Sequence, residues 1–236
     1  MKRHIPRQIL CVVHDDGPKD DRASGFLAEA GHEIDWVCPA DGEALPPVAD
    51  GFDAAIVYGG VQSANSHDEN DYIRRELDWI GEWVARDKPY LGLCLGAQLL
   101  AHSLGGKVGP HPEGLHERGF VEIHPTEAGR AVLDRPLHVY GAHHEGFELP
   151  QGGELLFTSG TYPRQGFRHG RNAFGLQFHP ECTPTMMVRW LDLDEDRLKK
   201  PGVHSRERQM ADSTRYDEPM ADWFTAFLDR WVADEI

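Results

Sequence analysis

A cysteine between two glycines is the strongest candidate for a reactive residue in this sequence. The segment Gly92-Leu93-Cys94-Leu95-Gly96 stands where a short apolar run gives way to a helical pattern. A G-x-nucleophile-x-G turn between strand and helix strains the backbone and exposes the nucleophile. The first amides of the new helix favour a thiolate over a thiol. We therefore predict that Cys94 is a nucleophile. The alternative, a small buried apolar cysteine, is our interpretation of Cys11 and Cys38.

A histidine followed by a glutamate supplies the other groups that thiol catalysis needs. A thiol nucleophile requires a base that takes its proton and returns it to the leaving amine, and a third group that orients the base. His179 follows the apolar stretch 174–178, and Glu181 comes two residues later. One histidine among 14 carries little weight by itself. Its pairing with Glu181 and Cys94 favours a Cys-His-Glu triad.

Backbone amides are the candidates for stabilising an oxyanion. The Leu95 N–H lies at the predicted start of the helix that follows the nucleophile. Gly59-Gly60 follows another apolar run, and glycine lets a backbone amide approach a substrate without interference from a Cβ atom. A glycine pair at a strand end is otherwise only a turn, so this signal is weak by itself.

Strands and helices alternate in the part of the chain that must position these groups. Apolar or alternating runs predict strands at 8–13, 33–37, 52–58 and 89–94. Helical spacing or helix stop signals predict helices at 23–30, 71–84 and 97–103. Such alternation implies a mostly parallel sheet with helices on both faces, a doubly wound, flavodoxin-like α/β fold.

Beyond about residue 107 the pattern changes to short strands separated by turns. These strands are predicted at 119–124, 137–140, 155–160, 166–168 and 173–178. They are expected to extend or flank the same sheet, in antiparallel pairs. No linker or shift of composition interrupts the sequence, so we expect one domain over residues 1–236.

The last 45 residues divide into a charged part and an aromatic part. Residues 192–217 are highly charged and predict a solvated helix followed by an irregular loop. Residues 223–232 carry an aromatic stripe at helical spacing, with Pro219 near the expected helix start. Such a stripe usually packs on its own fold; an interface with a partner is the less favoured alternative.

Charge and composition exclude several classes of protein. The 24 Lys and Arg against 39 Asp and Glu give a formal net charge of −15, which repels phosphate and excludes an electrostatic nucleic-acid binder. The apolar runs are far shorter than the ~20 residues of a membrane-spanning helix. With 40% apolar residues the chain can bury a sizeable core. We expect a soluble protein that binds neither nucleic acid nor membrane.

The four cysteines do not form a CxxC pair, and the histidines show no HExxH spacing. Neither a disulfide framework nor a metal site is therefore indicated. The start of the chain lacks the apolar stretch of an export signal. A reducing, cytoplasmic location fits these observations best.

The two motifs together resemble the class I glutamine amidotransferase family. The segments that carry the resemblance are Gly92-Leu93-Cys94-Leu95-Gly96-Ala97-Gln98 and Gln177-Phe178-His179-Pro180-Glu181. It covers roughly Asp16 to Trp190. Within the family, Asp16-Gly17-Pro18 and the segment 143–150 make the chain most similar to stand-alone proteins related to the amidotransferase domain of GMP synthase.

The resemblance implies roles for the motif residues. Cys94, His179 and Glu181 would form the triad, Gly59 and Gly60 would belong to the oxyanion loop, and Gln98 would help to hold glutamine.

Val61 stands where the family commonly has proline, which leaves the oxyanion loop freer. His143 falls near a family histidine beside the mouth of the site, although a solvated loop histidine is equally compatible with the sequence.

The implied reaction is hydrolysis of the glutamine amide through a γ-glutamyl thioester, which releases glutamate and ammonia without a metal or organic cofactor. The substrate would be glutamine or a related γ-glutamyl compound. No synthetase domain is recognised in the sequence, so the ammonia would pass to a separate synthetase subunit. The first alternative is a free-standing γ-glutamyl peptide or amide hydrolase. The second is a non-catalytic binding module on the same fold.

Overall fold

The computed structural model describes residues 5–193 and 195–236, and its elements are numbered in chain order. The strands are β1 (Gln8–Val12), β2 (Glu33–Val37), β3 (Ala54–Val57), β4 (Tyr90–Leu93), β5 (Val108–Pro110), β6 (Glu117–Pro125), β7 (Leu137–His143), β8 (Glu145–Phe147), β9 (Gly153–Thr158), β10 (Gly166–His169) and β11 (Ala173–Leu176). The α-helices are α1 (Arg22–Glu29), α2 (Asp71–Ala85), α3 (Leu95–Ser103), α4 (Pro184–Leu193) and α5 (Arg206–Val232). Short 3-10 turns lie at Pro39–Asp41, Ser66–Asp68, Ala128–Ala131 and Glu195–Lys199.

One large mixed sheet runs through the described residues in the order β2-β1-β3-β4-β11-β10-β9-β6-β7. The first five strands of that order are parallel to one another. Their arrangement is the flavodoxin-like order, with β11 in the fifth place. The remaining strands pair antiparallel and continue the sheet. The predicted α/β fold is confirmed, including the expectation that the later strands extend the first sheet.

Both faces of the sheet are covered because successive residues of each buried strand point to opposite sides. In β1, Ile9 and Cys11 pack in the same apolar cluster as residues of α1, α4 and α5. Leu10 and Val12 pack on the other face, with residues of α2 and α3. The continuous apolar runs in the sequence are therefore strands buried on both sides.

The prediction for the charged tail is wrong. Instead of a helix followed by an irregular loop, a single 27-residue helix, α5, begins at Arg206 and runs through Pro219. The Ser205 side chain caps it by accepting a hydrogen bond from the Arg208 backbone amide. Gln209 before the proline and Met220 after it are both completely buried. Packing on both sides thus offsets the hydrogen bond that an interior proline removes.

The aromatic stripe at the end of α5 packs against the sheet, as expected. Phe224, Phe227 and Trp231 are buried. The Phe227 ring meets the edge of Phe174 in β11, with ring centroids 5.3 Å apart. The helix therefore covers the strand that precedes His179.

Helix α4 and the small sheet of β5 and β8 were not predicted. The sequence does carry a signal for α4, because Thr183 precedes Pro184 at the first helical position. The Thr183 hydroxyl accepts a hydrogen bond from the Met186 amide at 3.2 Å, in the manner of an N-cap. Strands β5 and β8 are only three residues long, too short for a periodic pattern.

None of the helices in the described part of the chain combines the length and the apolar character that crossing a bilayer requires.

Two glycines allow β3, β4 and α3 to approach one another closely. A Cβ atom added at Gly96 would lie 2.0 Å from the Val57 carbonyl oxygen. One added at Gly92 would lie 2.4 Å from the Gly96 carbonyl oxygen. Both contacts are with backbone, which cannot move aside as a flexible side chain can. The flanking glycines of the Cys94 motif are therefore required by packing.

We expect Gly96→Ala to destabilise the protein by about 3 kcal/mol or more, because overpacking here displaces backbone. Gly81→Ala in α2 is the matched control: its added Cβ atom meets nothing within 4 Å, and alanine raises helix propensity by up to ~1 kcal/mol. Thermal unfolding of both variants measures the effect. Equal melting temperatures would contradict the packing argument.

Candidate active site

Cys94 occupies a strained turn between β4 and α3. Its backbone angles are φ 50° and ψ −102°, in a region that non-glycine residues rarely adopt. Such a conformation costs on the order of 1–3 kcal/mol and persists only where the surroundings enforce it. Here the close packing at Gly92 and Gly96 enforces it. The structure thus places Cys94 in the type of turn that its sequence motif predicts.

His179 and Glu181 form a buried pair just beyond β11. The Nδ1 atom of His179 lies 2.7 Å from Glu181 Oε1, and both side chains are almost inaccessible. The His179 backbone amide donates to the Tyr140 carbonyl oxygen at 2.8 Å, which fixes the chain at this point. The Trp190 ring packs edge-on against the imidazole, with centroids 5.0 Å apart. The imidazole is therefore held on several sides.

The charge on the imidazole depends on Glu181 and Cys94. Burial alone would lower the pKa of His179, but the negative charges of Glu181 and Cys94, and hydrogen bonds to both, raise that pKa to about 10. The three residues predicted as a triad are thus brought together. In this arrangement the imidazole is protonated at neutral pH and can act as a proton donor.

The loop that begins with Gly59 lies directly against the pair. A Cβ atom at Gly59 would be 2.7 Å from His179 Cε1 and 3.5 Å from Cys94 Cβ. One at Gly60 would be 2.9 Å from the Leu95 side chain. In the first turn of α3, the amides of Ala97 and Gln98 donate to the Cys94 carbonyl oxygen. The Leu95 amide is one of the first-turn amides that have no acceptor within the helix. The Gly59 loop therefore lies beside Cys94 and His179, and Gly60 packs against the Leu95 side chain.

Gln98 reaches Cys94 through a second glutamine. Its side-chain amide donates to Gln177 Oε1 at 3.2 Å and to the Glu145 carbonyl oxygen at 3.0 Å. Gln177 in turn donates to Cys94 Sγ at 3.7 Å. Contact between Gln98 and substrate stays a prediction, because the side chain lies buried behind Gln177.

His143 is a buried residue at the end of β7. Its Nδ1 atom lies 2.9 Å from the Glu145 carbonyl oxygen and its Nε2 atom 3.0 Å from Glu117 Oε2. Glu117 also accepts a hydrogen bond from Gln165 at 2.6 Å. The alternative of a solvated loop histidine is therefore wrong, and His143 faces the cavity from a rigid polar network.

A cavity of about 560 Å³ opens beside His179 and Glu181. Cys94 lies next to these lining residues and keeps 6% of its surface exposed. The walls come from the loops after β1 and β3, the end of β7, and α4 with the segment that follows it; representative lining residues are His14, Gly59, Gly60, His143, Trp36, Trp190, Leu193 and Val203. This volume is in the usual range for a small-molecule site.

Arg22, at the start of α1, ties the Glu181 segment to the C-terminal helix. Its guanidinium donates to the carbonyl oxygens of Pro180 and Cys182 at 2.7 and 3.0 Å. It also pairs with Asp217 of α5 at 2.8 Å. The backbone on both sides of Glu181 is thus anchored to two helices.

Within the described residues, no group of three or more His, Cys, Asp or Glu side chains is arranged to hold a metal ion. The neighbourhood of Cys94 offers thiol, imidazole, carboxylate and amide groups, which suit acyl transfer.

Sequence reasoning missed Gln177 and a buried pair, His14 and Glu76, behind the Gly59 loop. His14 is a single polar residue after a strand and carries no distinguishing pattern, whereas Gln177 belongs to the second motif but was assigned no role. The sequence does contain a pattern that indicates burial of Glu76. It lies three residues after Ile73 and four before Ile80, both of which are completely buried, so helical spacing places it on the inner face of α2.

Comparison with known families bears on this site directly. The family model described as glutamine amidotransferase class-I matches residues 27–192. The chain belongs to the class I glutamine amidotransferase family. The resemblance drawn from the two motifs is confirmed, and the matched range contains Cys94, His179 and Glu181. Membership in this amidotransferase family supports an amidohydrolase activity in general terms.

Similar sequences from other organisms agree with the amidotransferase assignment. The glutamine amidotransferase-like protein YfeJ of Salmonella typhimurium is 34% identical over 184 residues, covering 75% of this chain and 76% of that protein. One of the subunits of the glutamine-hydrolysing GMP synthase of Thermococcus kodakarensis is 39% identical over 99 residues, covering 41% of this chain and 53% of its own length. The chain thus matches about half the length of the latter relative.

A solved amidotransferase structure shares the fold over nearly the whole chain. The glutamine amidotransferase from Thermotoga maritima superposes with a TM-score of 0.87 at 26% identity, covering 97% of this chain and 99% of that one. The likeness includes the C-terminal part of the chain, which lies outside the range that the family model matches.

The raised pKa of His179 predicts how the pair contributes to stability. Its pKa rises from 6.5 to about 10 on folding, so its stabilising effect is complete below pH 6.5 and is lost as the pH approaches about 10. We expect Glu181→Gln to lower the free energy of unfolding most near pH 6.5 and progressively less toward pH 10. Urea denaturation at several pH values measures this difference. If the difference in unfolding free energy between Glu181→Gln and the native protein grew with pH, the assignment of a positive charge to His179 would be contradicted.

Proposed function

We propose that this protein hydrolyses the side-chain amide of glutamine, with Cys94 as nucleophile, His179 as acid and base, and Glu181 as the group that orients the imidazole. The observation that carries the proposal is the position of His179. Its imidazole is hydrogen-bonded to Glu181 and lies beside Cys94, which is held in a strained turn, because a Cβ atom added at Gly59 would contact both His179 and Cys94. A nucleophile, a base and an orienting carboxylate in this order are the components of a thiol acyl-transfer site.

The proposed acylation begins when the Cys94 thiolate attacks the δ-carbonyl carbon of glutamine. The carbonyl electron pair moves to oxygen, and the backbone amides of Leu95 and Gly60 stabilise that oxyanion. Collapse of the intermediate breaks the C–N bond, and the His179 imidazolium donates its proton to the departing ammonia. A γ-glutamyl thioester remains on Cys94.

The proposed deacylation uses the same groups in reverse. Neutral His179 takes a proton from water as the water oxygen attacks the thioester carbonyl. The C–S bond breaks and glutamate leaves, which restores the thiolate and the imidazolium. Glu181 holds the ring tautomer and stabilises its charged form throughout. The proposal needs no metal or organic cofactor, and it includes the single domain and the cytoplasmic location expected from the sequence.

We expect Cys94→Ala to lower glutamate release from glutamine by about four orders of magnitude or more, because no other group there forms the thioester. Cys38→Ala is the control, since Cys38 is buried away from the cavity and should be dispensable. Purified protein assayed for glutamate by a coupled dehydrogenase provides the measurement. Equal turnover by the Cys94 variant would contradict the assignment of the nucleophile, and no turnover by the native protein would favour the non-catalytic binding module.

Two versions of the proposal differ in whether the ammonia is passed to a second protein. We favour an amidotransferase that delivers ammonia to a separate synthetase subunit; the relative from Thermococcus kodakarensis is named as one subunit of GMP synthase. The second candidate is a free-standing γ-glutamyl hydrolase. It is supported by the cavity of about 560 Å³, whose Trp36, Trp190 and Leu193 walls offer apolar surface to a leaving group larger than ammonia.

The amidotransferase version predicts a higher kcat/KM for glutamine than for γ-glutamyl dipeptides. Both substrates are compared with the purified protein alone, and the Cys94→Ala variant measures the background for each. Rapid cleavage of the dipeptides with little release of glutamate from glutamine would reverse the order of the two candidates.

A further inference from the structure

A buried histidine and glutamate lie behind the Gly59 loop, outside the proposed triad. His14 follows β1, and its Nε2 atom lies 3.1 and 3.2 Å from the two carboxylate oxygens of Glu76 in α2. Its Nδ1 atom lies 3.1 Å from the Gly59 carbonyl oxygen. Both side chains are completely inaccessible to solvent. Burying two ionisable groups is costly, so their partners must satisfy them fully.

The partners of His14 fix its protonation state. A carboxylate and a carbonyl oxygen only accept hydrogen bonds, so both ring nitrogens must donate. Only the imidazolium form has two N–H groups. Burial alone would lower the pKa of His14, but the charge of Glu76 and the hydrogen bonds to Glu76 and Gly59 raise it. His14 is therefore a cation at neutral pH.

The bond to Gly59 determines how one peptide group is oriented. The carbonyl of Gly59 and the N–H of Gly60 belong to the same planar trans peptide, so they point in opposite directions. Because His14 holds the carbonyl, the Gly60 N–H points away from His14. Gly59 itself borders Cys94 and His179, since an added Cβ atom there would approach both.

Little else described in the loop restrains this peptide. Glycine at both flanking positions imposes no backbone preference of its own on the orientation of this peptide. The next residue, Val61, is 75% exposed, so its side chain does not anchor the loop. A second contact, from Gln62 Nε2 to the His14 carbonyl oxygen at 3.3 Å, again leads to His14.

We propose that His14, held as an imidazolium by Glu76, is a positioning residue that fixes the Gly59-Gly60 peptide with the Gly60 N–H directed at the developing oxyanion. The inference rests on the proposed function, because it assigns a role in that reaction. His14 touches neither substrate nor sulfur in this role. It acts through the peptide that it holds.

Two substitutions of His14 separate its two hydrogen bonds. The amide nitrogen of asparagine can replace Nδ1, and that of glutamine can replace Nε2. His14→Asn therefore keeps a donor for Gly59, whereas His14→Gln keeps only the donor for Glu76. We expect His14→Gln to lower kcat for glutamine by about 10²–10³-fold with little change in KM, as for loss of an oxyanion donor. His14→Asn should keep kcat within about tenfold of the native value, although unpaired Glu76 lowers its stability.

Alkylation of Cys94 by iodoacetamide shows whether the site itself is intact. Displacement of iodide forms no oxyanion, so the alkylation rate should be unchanged in both variants. Burial raises the pKa of the other thiols, Cys11, Cys38 and Cys182, so Cys94 should react first. Loss of alkylation in parallel with kcat in His14→Gln would indicate a collapsed site and overturn the proposal.

Glu76→Gln decides the question if His14→Gln does not fold. Glutamine keeps the shape and an accepting oxygen but removes the charge, and we expect kcat to fall about tenfold with alkylation unchanged. Native kcat in every folded variant would overturn the proposal. The proposed function is tested separately: if Cys94→Ala keeps its turnover of glutamine, the triad assignment fails. If Cys94→Ala loses that turnover while His14→Gln keeps full activity, only the role of His14 is overturned.

Discussion

The close approach of backbone at Gly92 and Gly96 is the constraint on which the site depends. With no side chains there, α3 begins directly against the end of β3, and the chain between β4 and α3 must turn within one residue. That residue, Cys94, takes up the strain. Its sulfur is thereby set at the carboxyl edge of the sheet, beside the first amides of a helix. The position of every other group in the site is defined relative to this turn.

Sheet order explains how residues distant in sequence meet. Strand β11 pairs in parallel with β4, with Leu176 opposite Leu93, so both strands end at the same edge. The Cys94 amide bonds to the Leu176 carbonyl oxygen at 2.8 Å, which links the two strand ends. His179 lies three residues after Leu176 and therefore stands at the same edge as Cys94, where both residues border Gly59. Strands β1 and β3 end at this edge as well, and they contribute His14 and Gly59.

Much of the fold, and the strand-to-helix turn at Cys94, could be predicted from the sequence because the signals were local. Buried strands gave continuous apolar runs, and the Cys94 motif combined flanking glycines with a strand-to-helix transition. Where tertiary contacts outweigh local preference, prediction failed. Pro219 indicated a helix start, yet packing of Gln209 and Met220 carries α5 straight through it. The roles of His14 and Gln177 arise only from the strand order, which no single segment specifies.

The anchoring of the Glu181 segment has a consequence for synthesis of the protein. Cys94 and its turn are made well before His179, and Arg22 can secure the backbone around Glu181 fully only when Asp217 of α5 is in place. While the chain grows on the ribosome, the thiol is therefore present without the histidine proposed as its base. A reactive cysteine is most vulnerable to oxidation when it is activated. The order of translation thus postpones that activation until the helix that steadies the base has been made.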